Sequence, residues 1–259
     1  MVEVFDVSDV VARLRAAGSV YAEDEAAVLR TAAGSQDDLE SMVRRRVAGE
    51  PLEVVVGWAE FCGHRVVVEP GVFVPRTRTG VLVDQGARLI GPGAVVVDLC
   101  CGTGAVGLAL HARVDGIELH AADIDPAAVR CARRNLEPLG AVVHQGDLFD
   151  ALPGTLQGAV DLLVVNAPYV PTAAISTMPP EAREHEPLAA LDGGGDGVDL
   201  HRRVAAHALT WLAPGGHLLI ETSPRQAALT TAAMATGALV SRVVADAVID
   251  GSVAIGWAR

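Results

Sequence analysis

Aromatic residues make up only 3% of this 259-residue chain, with three Trp, two Tyr and four Phe. Its core must therefore come from Val, Leu, Ala and Ile, and a hydrophobic fraction of 51% leaves ample material. Positive charge is also scarce: 20 Lys and Arg stand against 32 Asp and Glu, a formal net charge of −12. That balance argues against a nucleic-acid grip built on neutralising phosphates, and it leaves room for a partner carrying its own positive charge. The four cysteines, Cys62, Cys100, Cys101 and Cys131, have no metal-type spacing. No metal is expected, and they read as reduced thiols in a cytosolic protein. No apolar run approaches the roughly 20 residues that span a bilayer. The acidic, amphipathic start "MVEVFDVSDVVARLRAAG" is unlike a signal peptide. A cytoplasmic protein without membrane association is expected.

What is present falls into two successive patterns. Residues 6 to about 48 read as short amphipathic helices, "DVVARLRAAG", "AEDEAAVLRTAAG" and "QDDLESMVRRRVAG", each stopping at or near glycine. The "RRR" at 44–46 reads as a solvated helix end rather than a basic binding patch. Then "EVVVGWAEFCGHRVVVEPGVFVP" offers two β-branched runs about a turn, which predicts a hairpin. From residue 94, strands such as "AVVVDL", "IELHAADI", "AVVHQGD" and "VDLLVVN" alternate with helical segments. The chain closes on two strands in succession, "LVSRVVADAVI" and "SVAIGWA". The expected class is α/β: a doubly wound parallel sheet with a terminal antiparallel hairpin at one edge. Its expected divisions are a helical domain over 1–50, a hairpin linker over 51–75 and the sheet domain over 76–259. The insertion at 172–198, with its "GGGDG", reads either as a mobile lid or as an ordered surface loop.

Ligands of such sheets bind at the carboxyl ends of the strands. The first sheet strand ends in "DLCCGTGAVG", where Gly102, Gly104 and Gly107 spell G-x-G-x-x-G between strand and helix. Glycine there permits a tight turn and a close ligand approach to helix N-terminal amides. The motif serves dinucleotides and S-adenosylmethionine alike, and the acids around it favour the second. Asp98, four residues before Gly102, is placed to reach an amino group directly or through water. Asp123 follows the second strand, where a carboxylate accepts both ribose hydroxyls; Asp125 competes for that role but also reads as a helix N-cap before proline. Asp147 follows the third strand, where it can take the exocyclic amine of adenine or serve as a plain turn residue. Methyl transfer is the reading that three acids after three strands support.

The fourth strand then stops at Asn166-Ala167-Pro168-Tyr169. Proline lacks a backbone donor and fixes φ, so the chain must leave the sheet. The Asn166 amide offers a carbonyl acceptor, and the Ala167 carbonyl offers another beside it. Two converging acceptors describe a socket for a planar NH2 group, whose lone pair is delocalised until its N–H bonds are held. An Asx turn beside a core Tyr is the alternative. No dedicated general base is visible, and the socket chemistry needs none before methyl transfer.

These residues together resemble the HemK-like protein-(glutamine-N5) methyltransferases, over about residues 44–258. "GEPLEVVVGWAEFCGHRVVVEPGVFVPRTRT", "DLCCGTGAVGLAL", "DIDPAAVRCARRN", "NAPYVP" and "EHEPLAALDGGGDGVDLHRRV" match the family in order. The resemblance implies a Rossmann-like class I methyltransferase fold behind a helical substrate-docking domain, with S-adenosylmethionine as cofactor. It implies cofactor contacts from Phe73, from the loop of Cys100, Cys101, Gly102, Thr103 and Gly104, from Asp123, and from Asp147 with Leu148. It implies amide recognition by Asn166, Ala167, Pro168 and Tyr169, with Tyr169 packing on the target or closing the pocket. Three departures stand out. Cys100 replaces the first glycine of the loop, which calls for a β-like backbone there. "TRTG" replaces "RPET", removing an acid and bringing in Gly80. Ala167 replaces a proline.

The expected activity is methylation of a protein glutamine amide, with a peptide-chain release factor as the implied partner. A small-molecule amide or amine is the alternative acceptor. Adenine in nucleic acid fits the charge poorly, and a non-catalytic cofactor-binding module fits the intact socket poorly.

Overall fold

A computed structural model describes residues 7–259; the first residue of the expected opening helix, at 6, lies outside the described residues. Helices α1 (Val7–Ala16), α2 (Ala22–Ala32) and α3 (Gln36–Val47) turn their apolar stripes to a common core of Leu14, Leu29, Leu39 and Val43. Ser35 caps α3 by accepting the Asp38 N–H at 3.1 Å, a cap worth about 1 kcal/mol.

Of the arginines at 44–46, Arg44 is the solvated end expected, with its side chain 69% exposed, but the other two are more than that. Arg45 clasps Glu50, and Arg46, its side chain 15% exposed, binds Glu25 at 2.9 Å and reaches Glu181 at 3.7 Å. "LEVVV", expected as strand, forms a single helical turn, α4 (Leu52–Val56), ended by Gly57 at φ +80. β-branched residues bury well in either geometry. Here Arg45 faces the Val54 and Val55 carbonyls at 3.5 and 3.4 Å, which satisfies the helix end. Val55 then joins the helical core, while Val54 packs with Ala59, Val68 and Val74. The hairpin is the shorter pair β1 (Trp58–Phe61) and β2 (His64–Val67), closed by Cys62 and Gly63 at positive φ.

Helix α5 (Gly80–Ala87) leads into β3 (Val95–Leu99), α6 (Ala105–Arg113), β4 (Glu118–Asp123), α7 (Pro126–Leu136), β5 (Val142–Gln145) and β6 (Val160–Val165). After the insertion, which carries α8 (Pro180–His185), come α9 (Asp199–Trp211), β7 (Leu212–Glu221), α10 (Ala227–Thr236), β8 (Leu239–Asp246) and β9 (Gly251–Ala258). The sheet order is β5-β4-β3-β6-β7-β9-β8. β3 to β7 pair in parallel, and β9 lies antiparallel between β7 and β8. The doubly wound sheet with its antiparallel terminal edge is therefore present as expected. Central strands covered on both faces read as continuous apolar runs, and Val96, Val97, Leu99 and Leu162 to Val165 are fully buried. Asp161 uses its partial exposure to accept the Val95 N–H at 2.8 Å.

One side chain ties linker to sheet. Asn135 on α7 accepts the Val67 N–H and donates to the carbonyls of Val67 and Thr103. The hairpin and the glycine loop are thereby fixed to one helix.

The ends of the insertion are joined by backbone hydrogen bonds. Val170 bridges to Asp192, Gly193 N–H donates to the Val170 carbonyl, and Thr172 N–H donates to Gly194. Among the described residues, no helix is long and apolar enough to cross a membrane.

Candidate active site

The carboxyl ends of β3, β4, β5 and β6 open into a cavity of about 360 Å³. Every residue expected at the site lines it except Gly104. Gly104 lies beneath: it starts α6 at φ +78, and a Cβ there would stand 2.7 Å from Leu136 Cδ1. Its role is to bring α6 and α7 together, with its loop neighbours Cys100 to Thr103 forming the wall.

Asp98 is buried, and its Oδ2 accepts the Gly107 N–H at 3.0 Å. Burial pushes its pKa up to about 7 against the pull of that amide. The third glycine is thus needed for contact: a Cβ at Gly107 would meet Leu119 at 3.2 Å and Asp98 Oδ2 at 3.3 Å. Asp123 accepts the Gly102 N–H at 2.9 Å on one oxygen and the Asp125 N–H at 3.0 Å on the other. These bonds fix the carboxylate and leave each oxygen a further lone pair. Asp125 itself accepts the Ala127 N–H at 2.8 Å, ahead of Pro126 at the first helical position. Capping is its observed role, although it borders the cavity. Asp147 pairs through Oδ2 with Arg203 on α9 at 2.8 Å.

Cys100 corrects the expectation of a β-like backbone: its φ is +56, in the left-handed region. A left-handed non-glycine residue costs roughly 1–2 kcal/mol. The turn is held by the Cys101 N–H, which donates to the Ala122 carbonyl at 3.1 Å. Burial raises the pKa of both thiols, so they remain protonated wall groups rather than nucleophiles. Leu148 is likewise left-handed, at φ +49.

At the end of β6, Asn166 Nδ2 donates to Thr79 Oγ1 at 3.4 Å. Asn166 Oδ1 has no hydrogen-bond partner among the described residues, and the buried Ala167 stands next to it in the cavity wall. The Tyr169 hydroxyl donates to Glu221 at 3.2 Å and accepts from Arg78 Nε at 3.1 Å. Burial pushes its pKa up to about 12.

Several wall residues went unnoticed in the sequence. Thr79, Arg78 and Arg76 precede α5, Ile124 follows β4, and Met178 and Glu186 come from the insertion. Glu186 is buried, binds Arg76 and accepts the Val74 N–H at 3.4 Å. That pair straps the segment of Phe73 to the insertion. Only the quoted "PRTRT" and "EHEP" stretches pointed toward these residues. Arg203 gave no signal, since helix periodicity does not single out one exposed arginine.

The family model "Methyltransferase small domain" matches residues 64–185. A protein of Mycolicibacterium smegmatis named release factor glutamine methyltransferase is 40% identical over 200 residues, 75% of this chain and 69% of that protein. Further proteins of that name match at 34–42% identity. A Streptomyces pristinaespiralis protein named 4-amino-L-phenylalanine/4-methylamino-L-phenylalanine methyltransferase is 46% identical over 198 residues, 72% of this chain. The match spans 65% of that relative's length. Among solved structures, a methyltransferase from Pyrococcus furiosus shares the fold at a TM-score of 0.56 and 15% identity, covering 75% of this chain and 88% of that one.

Proposed function

The chain belongs to the family of release factor glutamine methyltransferases, and on that premise we propose that it methylates a planar NH2 group using S-adenosylmethionine. The acceptor in this reading is the side-chain amide of a protein glutamine. The cavity suits the cofactor on its own chemistry: a glycine turn with free approach, and a carboxylate at Asp123 already fixed by two amides. Asp123 would take the ribose hydroxyls, Asp147 and Leu148 the adenine, and Phe73, Asp98 and the wall from Cys100 to Thr103 the remainder. Bound there, S-adenosylmethionine supplies an electrophilic methyl group.

The observation that carries the reading is the state of Asn166. Its NH2 is turned to Thr79 and its carbonyl is left without a partner in the cavity wall. With the Ala167 carbonyl, it would accept both N–H bonds of the acceptor and weaken the conjugation of its lone pair. Pro168 fixes the turn, and the Tyr169 ring closes the wall. Catalysis of this kind rests on positioning and matched charge. The helices α1–α3 would dock the protein substrate, and a cytoplasmic setting agrees with four free cysteines.

One observation favours a second reading. The 46%-identical Streptomyces relative is named for an aromatic amine on a free amino acid, and an aryl amine is also a planar NH2 group. The two readings are separated by supplying methyl-labelled cofactor with either a release factor or 4-amino-L-phenylalanine. Label in the release factor, lost when its target glutamine is replaced, is the expected result. Label only in the amino acid moves the acceptor to the second reading. Transfer to neither, with cofactor still bound, overturns both.

A further inference from the structure

Among the described residues, three arginines line the cavity: Arg76, Arg78 and Arg203. Two of them are held by carboxylates at short range. Arg76 Nη2 binds Glu186 Oε1, and Arg203 Nη2 binds Asp147 Oδ2 at 2.8 Å. Arg78 is held differently. Its Nε donates to the Tyr169 hydroxyl at 3.1 Å. Its ion-pair partner, Glu221, faces the same Nε from 3.6 Å, beyond hydrogen-bond reach. Neither terminal nitrogen of Arg78 donates a hydrogen bond among the described residues, and the side chain is 44% exposed at the cavity wall.

A guanidinium is not deprotonated in a protein. Its terminal nitrogens form a planar fork that matches a carboxylate with two parallel N–H···O bonds. In Arg78 the anchoring falls on Nε, so the fork is left for a ligand. It lies beside the acceptor socket: Thr79, the next residue, accepts Asn166 Nδ2–H at 3.4 Å, and Tyr169 ends the turn that Asn166 begins. Arg78 also belongs to "TRTG", the segment in which the family's acid is absent. A permanent cation near the proposed site of a sulfonium is costly, and a carboxylate arriving with the acceptor offsets it. We propose that the acceptor site takes, as a further activity, a small molecule with a planar NH2 at one end and a carboxylate at the other, the carboxylate being held by the Arg78 fork. A glutamine side chain within a protein offers no such anion, so Arg78 sets the preference among small acceptors. The inference rests on the proposed role of Asn166 and the Ala167 carbonyl as acceptors of a planar NH2. In the transfer, the amine nitrogen forms a C–N bond to the methyl group of S-adenosylmethionine as the C–S bond breaks with its electron pair on sulfur. S-adenosylhomocysteine remains, and the amine's proton passes to water.

Arylamine acids test this in pairs: 4-aminobenzoate, 4-aminophenylacetate and 3-(4-aminophenyl)propanoate, each beside its methyl ester. Within a pair the ring and the amine are kept and only the negative charge is lost. A hydrogen-bonded charge of this kind should make kcat/KM about 10- to 100-fold higher for at least one acid than for its ester. Arg78→Gln should bring that ratio close to one, while Arg78→Lys, which keeps the charge without the fork, should retain part of it. Esters as good as their acids throughout the wild-type series overturn the inference. So does an equal loss for acid and ester in Arg78→Gln, which would leave only the bond to Tyr169. A ratio that stays put in Arg78→Gln while cofactor affinity falls assigns the fork to the cofactor's own carboxylate and likewise overturns it.

A second readout needs no turnover. With S-adenosylhomocysteine bound, calorimetry should show the acid binding more tightly than its ester in the wild-type protein and no more tightly in Arg78→Gln. If no acceptor is methylated, the proposed function fails separately, and this comparison still decides whether Arg78 holds a carboxylate. If a release factor is methylated while none of the acids binds, the glutamine reading stands and the inference falls.

Discussion

Asn166 illustrates how a residue of the cavity wall can be placed from the sequence while its contacts cannot. Its place before Ala-Pro-Tyr marked the end of a strand and suggested an amide acceptor. Its partner Thr79 lies 87 positions away, and nothing in "TRTG" singled it out. Replacing Asn166 with Ala should lower kcat by at least about 100-fold, while cofactor affinity measured by calorimetry stays within a few-fold. The place of Asp123 in the cavity wall was legible because it follows the second strand of the sheet. Hydrogen bonds to a charged partner are worth about 1.5–3 kcal/mol, so Asp123→Ala should weaken cofactor binding about 10- to 100-fold. Unchanged affinity would remove Asp123 from the ribose site. Asp147 was read for its exposed place after a strand, and its pairing with Arg203 on α9 depends on a helix 56 residues away.

Among elements, legibility followed amphipathic periodicity and caps. Helix α7 buries Val129, Ala132 and Leu136 on one face and opens on Asp125-Pro126, so its start and period were both visible. Helix α5 was not recognised because Gly80 to Val83 and Gly86 are all buried, which erases the polar face. Helix α4 was misread because a run of valines carries strand propensity, and only Arg45 and Gly57 at its end hold it helical. The insertion left lid and loop undecided, since glycine-rich sequence permits either; in the fold its ends are joined by backbone bonds between Val170 and Leu191, Gly193 and Val170, and Thr172 and Gly194. A Cβ at Gly193 would stand 2.5 Å from the Gly197 carbonyl oxygen and 2.7 Å from Tyr169 Cα. Gly193→Ala must therefore displace the Tyr169 turn. Overpacking of this kind costs about 1–3 kcal/mol, and kcat should fall with the melting temperature. An unaltered kcat would show that the segment does not support the acceptor turn.

At the scale of the molecule, the −12 charge argued against a phosphate-gripping surface but said nothing about which carboxyls are buried. Burial raises the folded pKa of Asp98, Asp123, Glu186 and Glu221. For Asp98 the folded value is about 7, against about 3.9 in an unfolded chain. The folded state then binds the extra proton between these values, so this group favours folding below pH 4, loses that advantage as pH rises, and has lost all of it above 7. Asp98→Asn removes the titration. Its stability relative to the native protein, without cofactor, should rise by about 2–3 kcal/mol between pH 5 and pH 8. Denaturant melts at the two pH values measure this, and parallel curves would place the Asp98 carboxyl in water.

The sheet order gives β7 two unlike neighbours. β7 carries Glu221 at its end, and its neighbour on the far side is β9, where Val253 lies opposite Glu221 and Ala254 opposite Ile220. β7 is thus the seam between the parallel strands that open on the cavity and the antiparallel edge of the sheet.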